Sequence, residues 1–365
     1  MFVIYLILIV AFLLVPMFYS KSEQIRRWGL AAFCFFLFFI SAFRGDFTSD
    51  YSEYCRIYEL FIGRDISIFF TPEMDVFGVE KGYAFLNYIF AQVFRDPQTI
   101  IIITSVIIVG VYYMFGKKAN DKFLFLLLLI NIGSYFQSFN ITRQVLAASV
   151  CMLGYQYVEE RKPIKYFAIV LLATTIHVSS IIMIPFYFLL RIKLGVRNIL
   201  LQIVITVVIF TNFDSILQFM DATLFEKKYS SYEVFGTMDI QTVVVPLAIS
   251  LFVVVSLIAN TAGLKKEQEY IPDLRASISA KIQENAILYN GSIYWLLTYF
   301  LAIKYYYLYR FSSYFSLYAI LAVVKSVENI KDGKMRFLIK SGIIILLSVY
   351  YLFFGQYFGN YKFCF

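Results

Sequence analysis

Long runs of apolar residues, separated by short polar stretches, dominate the chain. About 18 apolar residues in a helix span the roughly 30 Å hydrocarbon core of a bilayer. The pattern predicts about ten such spans. They cover residues 1–19, 26–43, 98–116, 122–139, 142–158, 198–212, 242–262, 285–303, 306–324 and 337–354. We therefore expect an all-α fold, a polytopic transmembrane helical bundle.

Two apolar stretches do not fit a single crossing. Residues 82–94 are too short to cross comfortably, and residues 165–190 are too long and carry His177 near their middle. Lys and Arg concentrate in cytoplasmic loops. All the basic clusters fall on one face only if 82–94 is a re-entrant or interfacial helix and 165–190 is a helical hairpin with its tip at His177. Two long loops, 44–97 and 213–241, then lie on the outer face.

Composition agrees with a membrane solvent. Apolar residues make up 61% of the chain and charged residues 15%, with 40 Phe and 30 Tyr, whereas soluble domains carry about 25% charged residues. Helices that share one membrane slab indicate a single domain over residues 1–365. The net charge is +8, but the cations lie between apolar runs as topology signals do. We therefore expect no nucleic-acid partner.

Four basic residues lie close to membrane depth, where a charge costs about 2.5–3.5 kcal/mol on insertion scales. They are Arg44, Arg143, His177 and Arg310. In the predicted topology all four fall near the outer ends of their helices. An isolated arginine there would most simply extend its charge to the interface. Several on one face instead favour a functional site.

Two of these arginines have neighbours suited to substrate binding. Arg143 and Gln144 begin a predicted helix, where free N–H groups and a guanidinium can hold a phosphate. Arg310 lies in a tyrosine-rich stretch with Tyr309 and Tyr314. Tyrosines at this depth are typical of an interfacial aromatic belt. They also suit sugar rings beside a cation, and the two interpretations are compatible.

Acid–base chemistry has three candidates. His177 is the one histidine in the chain, and no cluster with zinc-ligand spacing surrounds it, so we expect neither a metal site nor another cofactor. Asp50 and Glu80, in the long loop, are the carboxylates that best suit a general base. The sequence has no nucleotide-binding loop and no serine-nucleophile motif.

At these residues the chain resembles the EpsG/Wzy family of bacterial polysaccharide polymerases. The matching pieces fall in the family's order over about residues 40–320. They are Phe43-Arg-Gly-Asp-Phe-Thr-Ser-Asp-Tyr, Glu80-Lys-Gly-Tyr, Asn140-Ile-Thr-Arg-Gln-Val-Leu-Ala, Ala173-Thr-Thr-Ile-His-Val-Ser-Ser and Tyr309-Arg-Phe-Ser-Ser-Tyr-Phe. One position departs from the family, because Ser49 stands where a glycine is usual before Asp50. This change bears on the direction in which Asp50 points.

The resemblance implies an enzyme with a GT-C-like fold, a glycosyltransferase in the bacterial cytoplasmic (inner) membrane with its active site facing the periplasm. Such enzymes transfer a growing glycan from undecaprenyl pyrophosphate to the non-reducing end of a lipid-linked repeat unit at the outer leaflet. The reaction is expected to be metal-independent and inverting. Its partners are the undecaprenyl-pyrophosphate-linked oligosaccharide repeats, as donor and acceptor, and membrane lipid. A chain-length regulator protein could also bind.

Roles for individual residues follow from this chemistry. Arg143 and Arg310, supported by Arg44, would stabilise the pyrophosphate leaving group. Asp50 is the first choice for the base that takes the acceptor proton, with His177 or Glu80 next.

Two rival functions share some of these features. A transferase of the O-antigen-ligase type would use the same cations and lipid carrier. A flippase or transporter of lipid-linked oligosaccharides would instead place charges along a mid-membrane path. The product remains open among the O-antigen of lipopolysaccharide, capsule and exopolysaccharide, and so do the sugars and their linkage.

Overall fold

The computed structural model describes part of the chain as helices joined by short connections. The described residues are 2–72, 78–132, 134–212, 215, 244, 246–249, 251–253, 283–303, 306–330, 332–354, 361 and 363–364. Within them the regular secondary structure is helical, with one isolated antiparallel bridge between Arg44 and Phe363. The prediction of an all-helical fold is confirmed for this part.

The chain divides into two compact units, residues 1–184 with 331–365, and residues 185–330. The first unit contains most of the helices. They are α1 (Phe2–Leu13), α2 (Val15–Phe18), α3 (Glu23–Ala42), α4 (Tyr51–Glu59), a 3₁₀ turn (Ile66–Phe70), α5 (Lys81–Ala91), α6 (Gln98–Lys118), α7 (Lys122–Asn131), α8 (Ser134–Asn140), α9 (Thr142–Leu153), α10 (Tyr155–Glu159), α11 (Pro163–Ile176) and a 3₁₀ turn (Val178–Ile182). The single-domain interpretation stays a prediction.

Helix α12 (Met183–Leu189) begins in the first unit and ends in the second. The second unit continues with α13 (Val196–Thr211), α14 (Ala286–Ala302), a 3₁₀ helix (Tyr306–Tyr314) and α15 (Ser316–Glu328). Helix α16 (Gly333–Phe354) belongs to the first unit. The predicted loop 213–241 lies almost entirely outside the described residues, and so does more than half of the predicted span 242–262.

Two described helices, α3 and α6, are long and apolar enough to cross a membrane, and several shorter apolar helices accompany them. Other predicted spans are divided. The first breaks at Leu14, before Pro16, because proline has no N–H to donate to the preceding turn. Residues 142–158 divide at Gly154 into α9 and α10. The full number of spans stays a prediction.

Helices α3 and α6 pack side by side and support the loop that follows α3. Helix α3 buries Phe33, Leu37 and Ile40, whose spacing puts them on one face. Near the end of α3, the hydroxyls of Ser41 and Ser105 lie 2.7 Å apart. This polar contact joins the C-terminal end of α3 to the N-terminal half of α6.

The two irregular stretches have definite structures. Most of residues 82–94 lie in helix α5, so the helix is confirmed, and its re-entrant or interfacial position stays a prediction. Helix α11 ends at Ile176, and His177 adopts an extended backbone with φ −153° and ψ 119°. The Tyr166 hydroxyl then donates to the carbonyl of Met183 at 2.8 Å. A continuous helix would separate those residues by about 25 Å, so the chain reverses near His177, as the hairpin prediction requires.

The prediction of one helix over residues 306–324 is wrong. Residues Tyr306–Tyr314 form a 3₁₀ helix, and an α-helix begins only at Ser316. The Ser316 hydroxyl donates to the carbonyl of Ser313 at 3.2 Å. Serine hydroxyls compete in this way with the backbone bonds of an α-helix. Arg310 therefore lies in the 3₁₀ helix, not one turn into an α-helix.

Candidate active site

Glu80 begins the site because its side chain is not used by its own helix. It is the N-cap residue of α5 and has an extended backbone, yet its carboxylate makes no capping bond to α5. Such a carboxylate can reach other elements. It is 18% exposed and contacts residues from both α9 and the turn after α11.

One carboxylate oxygen of Glu80 holds the reversal at His177. The Oε1 atom lies 2.8 Å from Nδ1 of His177 and accepts the backbone N–H of Val178 at 3.1 Å. His177 is 23% exposed. Because Nδ1 faces a carboxylate, the orientation of the imidazole ring is fixed.

The other oxygen of Glu80 binds Arg143. Nη1 of Arg143 donates to Oε2 of Glu80 at 3.0 Å, and the arginine side chain is 26% exposed. The guanidinium also lies 5.8 Å from the ring centre of Tyr83, which is buried. We name Glu80, Arg143 and His177 the Glu80 cluster. Three elements that are distant in sequence meet at this one carboxylate.

The electrostatics of the cluster keep Glu80 ionised. Burial raises the pKa of Glu80, but the hydrogen bond from His177 and the charge of Arg143 outweigh it, and the pKa falls below its ordinary value of 4.5. The cluster therefore presents a partly accessible arginine and histidine around a fixed carboxylate.

Asp50 lies close to the start of α9, the helix that carries Arg143, but it is not part of the Glu80 cluster. Its Oδ1 is 2.9 Å from the hydroxyl of Ser49, which is 2.8 Å from Oδ1 of Asn140. The hydroxyl of Tyr54 lies 3.4 Å from Oδ2 of Asp50 and donates to the Asn140 carbonyl at 2.9 Å. Burial and then the charge of Asp50 raise the pKa of Tyr54 to about 12, so Tyr54 remains a hydrogen-bond donor.

Tyr54 connects Asp50 to the Glu80 cluster. Its ring packs edge-on against that of Tyr83, with 6.2 Å between the ring centres. The guanidinium of Arg143 in turn lies over the ring of Tyr83. Asp50, Tyr54, Tyr83 and the cluster thus form one continuous set of contacts in the first unit.

Arg44 is completely buried, which the sequence did not indicate. It donates to the Ser41 carbonyl at 2.6 Å and to the Thr142 hydroxyl at 3.0 Å, and it lies 5.2 Å from the ring centre of Phe139. Burial lowers its pKa. In this structure Arg44 supports the start of α9, one residue before Arg143, and presents no surface to a ligand.

The remaining predicted residues are placed as follows. Gln144 is buried in α9 next to Arg143. Tyr309, Arg310 and Tyr314 lie in the 3₁₀ helix of the second unit. There Arg310 is half-buried and Tyr314 is 3% exposed. In the described part no group of three or more His, Cys, Asp and Glu side chains could hold a metal ion.

The close approach that assembles the Glu80 cluster was not predicted from the sequence. A Cβ atom at Gly82 would lie 2.1 Å from Oγ1 and 2.7 Å from the carbonyl oxygen of Thr175. Only glycine lets α5 approach α11 this closely. The available signal was the glycine two residues after Glu80, inside the helical segment.

In the described residues, the helical fold, its long apolar helices and the partly buried carboxylate–arginine–histidine cluster are compatible with a membrane protein that carries a polar site at its helix ends. A family model described as the EpsG family matches residues 27–365. The chain belongs to the EpsG family, whose members are associated with polysaccharide biosynthesis. No curated protein and no solved structure matches the chain.

Proposed function

We propose that this protein is a polysaccharide polymerase of the bacterial inner membrane. It transfers a growing glycan from undecaprenyl pyrophosphate to the non-reducing end of a lipid-linked repeat unit at the outer leaflet. Membership of the EpsG family supports the class of reaction. The observation that carries the assignment of the site is the carboxylate of Glu80, which holds Arg143 and His177 at once.

Arg143 suits the leaving group. As the bond between the anomeric carbon and the pyrophosphate oxygen breaks, its electron pair leaves with the pyrophosphate. A fixed guanidinium stabilises that negative charge. The contact with Glu80 holds Arg143 in place before the substrate arrives. Arg44, which bonds the neighbouring Thr142, acts as a positioning residue.

His177 is the base that the geometry favours. The acceptor hydroxyl attacks the anomeric carbon from the face opposite the leaving group, which inverts the configuration, and its proton must pass to a base. Both oxygens of Glu80 are already hydrogen-bonded, so Glu80 suits orientation rather than proton transfer. With Nδ1 facing Glu80, Nε2 of His177 can take the proton. Asp50 remains the alternative base.

Three residues of the second unit are separate candidates for contact with the substrate. Tyr309 and Arg310, which are half-buried, suit the sugar rings and phosphates of the substrate, because an aromatic face and a cation bind both groups. Tyr314 is 3% exposed and would act by supporting them. No step of the proposed transfer uses a metal ion.

The direct genetic test replaces Arg143 by Ala in cells that depend on this gene for their polymer. We expect single lipid-linked repeats to accumulate and long chains to disappear, since the leaving group loses its cation. Arg56→Ala is the matched control, because Arg56 is an exposed arginine of the outer loop that pairs with Glu53. It should leave chain lengths unchanged.

The chain lengths and location of the glycan in the Arg143→Ala cells also separate the rival functions. Wild-type chain lengths in Arg143→Ala would overturn the proposed role. Long chains that remain attached to the lipid carrier would indicate a lost ligase. Repeats trapped at the cytoplasmic leaflet would indicate a lost transporter.

A further inference from the structure

A second polar feature lies at the other end of the first unit, at an open pocket of about 490 Å³. Three cations line it, namely Arg27 at the start of α3 and Lys117 and Lys118 at the end of α6. Its other walls include the apolar side chains of Met114, Leu153 and Ile169. The pocket therefore combines a positive rim with an apolar surface.

The pocket is separated from the Glu80 cluster by the length of a membrane-sized helix. At its N-terminal end, α6 contacts the chain after α3, because Gln98 Nε2 donates to the Arg44 carbonyl at 3.1 Å. At its C-terminal end, 21 residues along, α6 carries the two lysines. This length corresponds to about 30 Å, which is also the thickness of the hydrocarbon core.

The lysine charges are available to a ligand. The ammonium of Lys117 lies 4.9 Å from the ring centre of Tyr113, and that of Lys118 lies 5.2 Å from Phe115. Aromatic faces hold a cation without using its hydrogen-bond donors on an acceptor atom. Among the described residues, neither lysine forms an ion pair with a carboxylate. Arg27 is different, because its Nε donates to Glu23 at 3.1 Å.

We propose that this pocket binds an anionic phospholipid of the leaflet opposite the Glu80 cluster. The phosphate would contact Lys117, Lys118 and Arg27, and an acyl chain would lie against Met114, Leu153 and Ile169. Basic pockets between membrane helices bind anionic headgroups in this way. The site is independent of the proposed transferase reaction.

The test uses the full-length protein in a neutral detergent, with native mass spectrometry and thermal unfolding as the two measurements. The ligands are dioleoyl phosphatidylglycerol, dioleoyl phosphatidylcholine and inorganic phosphate. We expect the anionic lipid to remain bound and to raise the Tm. The zwitterionic lipid should do neither, and phosphate alone should bind much more weakly because it lacks the acyl chain.

Variants assign the binding to the pocket. The double variant Lys117→Gln/Lys118→Gln should bind phosphatidylglycerol roughly 10- to 30-fold more weakly than the wild type does. Each basic residue near the headgroup increases the affinity by a factor of about three to six, and the variant lacks two of them. Lys21→Gln/Lys334→Gln removes the same charge from two exposed lysines that do not line the pocket, and it should bind as the wild type does.

Three results would overturn the proposal: equal affinity of the Lys117/Lys118 variant and the wild type, equal affinity for the two lipids, or a Tm shift from phosphate alone as large as that from the anionic lipid. The last result would identify a site for free phosphate. The unliganded Tm of each variant shows whether the protein is folded before binding is compared.

Discussion

At the scale of single residues, Glu80 determines how the candidate active site is arranged. Arg143 binds one of its oxygens at 3.0 Å and His177 the other at 2.8 Å. The charged form of Glu80 is therefore favoured in the folded protein, and its pKa is lowered despite burial. A lowered pKa means that the contacts of Glu80 stabilise the fold at neutral pH and lose this effect in acid.

Glu80→Gln should therefore reduce stability by about 1–3 kcal/mol at pH 7, because Arg143 loses its charged partner. The stabilising effect is present above the ordinary pKa of 4.5 and disappears as pH falls through the lowered native value. The Tm difference between wild type and Glu80→Gln should consequently narrow below about pH 4.5. Thermal unfolding from pH 7 to pH 3 measures it.

Glu53→Gln is the control, because Glu53 forms an ion pair only with the exposed Arg56 among the described residues. It should change the Tm little at any pH. If the Tm difference between the wild type and Glu80→Gln stays constant or widens in acid, the ionised state that we assign to Glu80 is contradicted.

Contacts between residues distant in the chain could not be predicted from the sequence. The sequence predicted Glu80, Arg143 and His177 as separate candidates, and their contacts join positions 63 and 97 residues apart. Periodicity carries no information on such pairings. The sequence interpretation ranked Asp50 above His177 as a base; that order stays untested, and the contact of Glu80 with His177 is our reason to propose the reverse. Arg44 resembled Arg143 in sequence, yet Arg44 is buried.

At the scale of elements, the approach of α5 to α11 brings Glu80 to His177. The reversal at His177 was predictable, because an apolar stretch from 165 to 190 is too long for one crossing. The approach of α5 was not, because it depends on the absence of a side chain at Gly82. The 3₁₀ helix at Tyr306–Tyr314 was also missed, since its composition fits a membrane helix equally well.

Gly82→Ala should separate the two elements. The added methyl would lie 2.7 Å from the Thr175 carbonyl oxygen, and backbone cannot move aside as a side-chain tip can. We expect a stability loss of about 1–3 kcal/mol from overpacking. Polymer formation should fall about 100-fold, because displacements near 1 Å cost that much in a preorganised site.

Gly110→Ala is the matched control in α6, where an added Cβ would meet no atom within 4 Å. It should keep full activity and be slightly more stable, since alanine favours a helix. Polymer yield and Tm measured on the two variants together check the prediction. Normal polymer from Gly82→Ala would show that the close approach is not needed.

At the scale of the whole molecule, the helices of the first unit separate two polar sites of different kinds. One end carries the Glu80 cluster, and the other carries the basic pocket with Lys117 and Lys118. Helix α6 reaches from one to the other. The sequence predicted this division from its cation clusters. It could not predict that three of those cations line a cavity, because that requires the packing of several helices.

The central claim is that this protein extends a lipid-linked glycan. The most direct measurement incubates the purified full-length protein with lipid-linked repeats extracted from cells that lack this gene, and resolves the products by chain length. We predict a ladder of products several repeats long from the wild type and single repeats from Arg143→Ala. His177→Gln should be slowed by 10²–10⁴-fold, as expected for loss of a general base. Single repeats from an active, folded wild-type protein, or an undiminished ladder from Arg143→Ala, would contradict the claim.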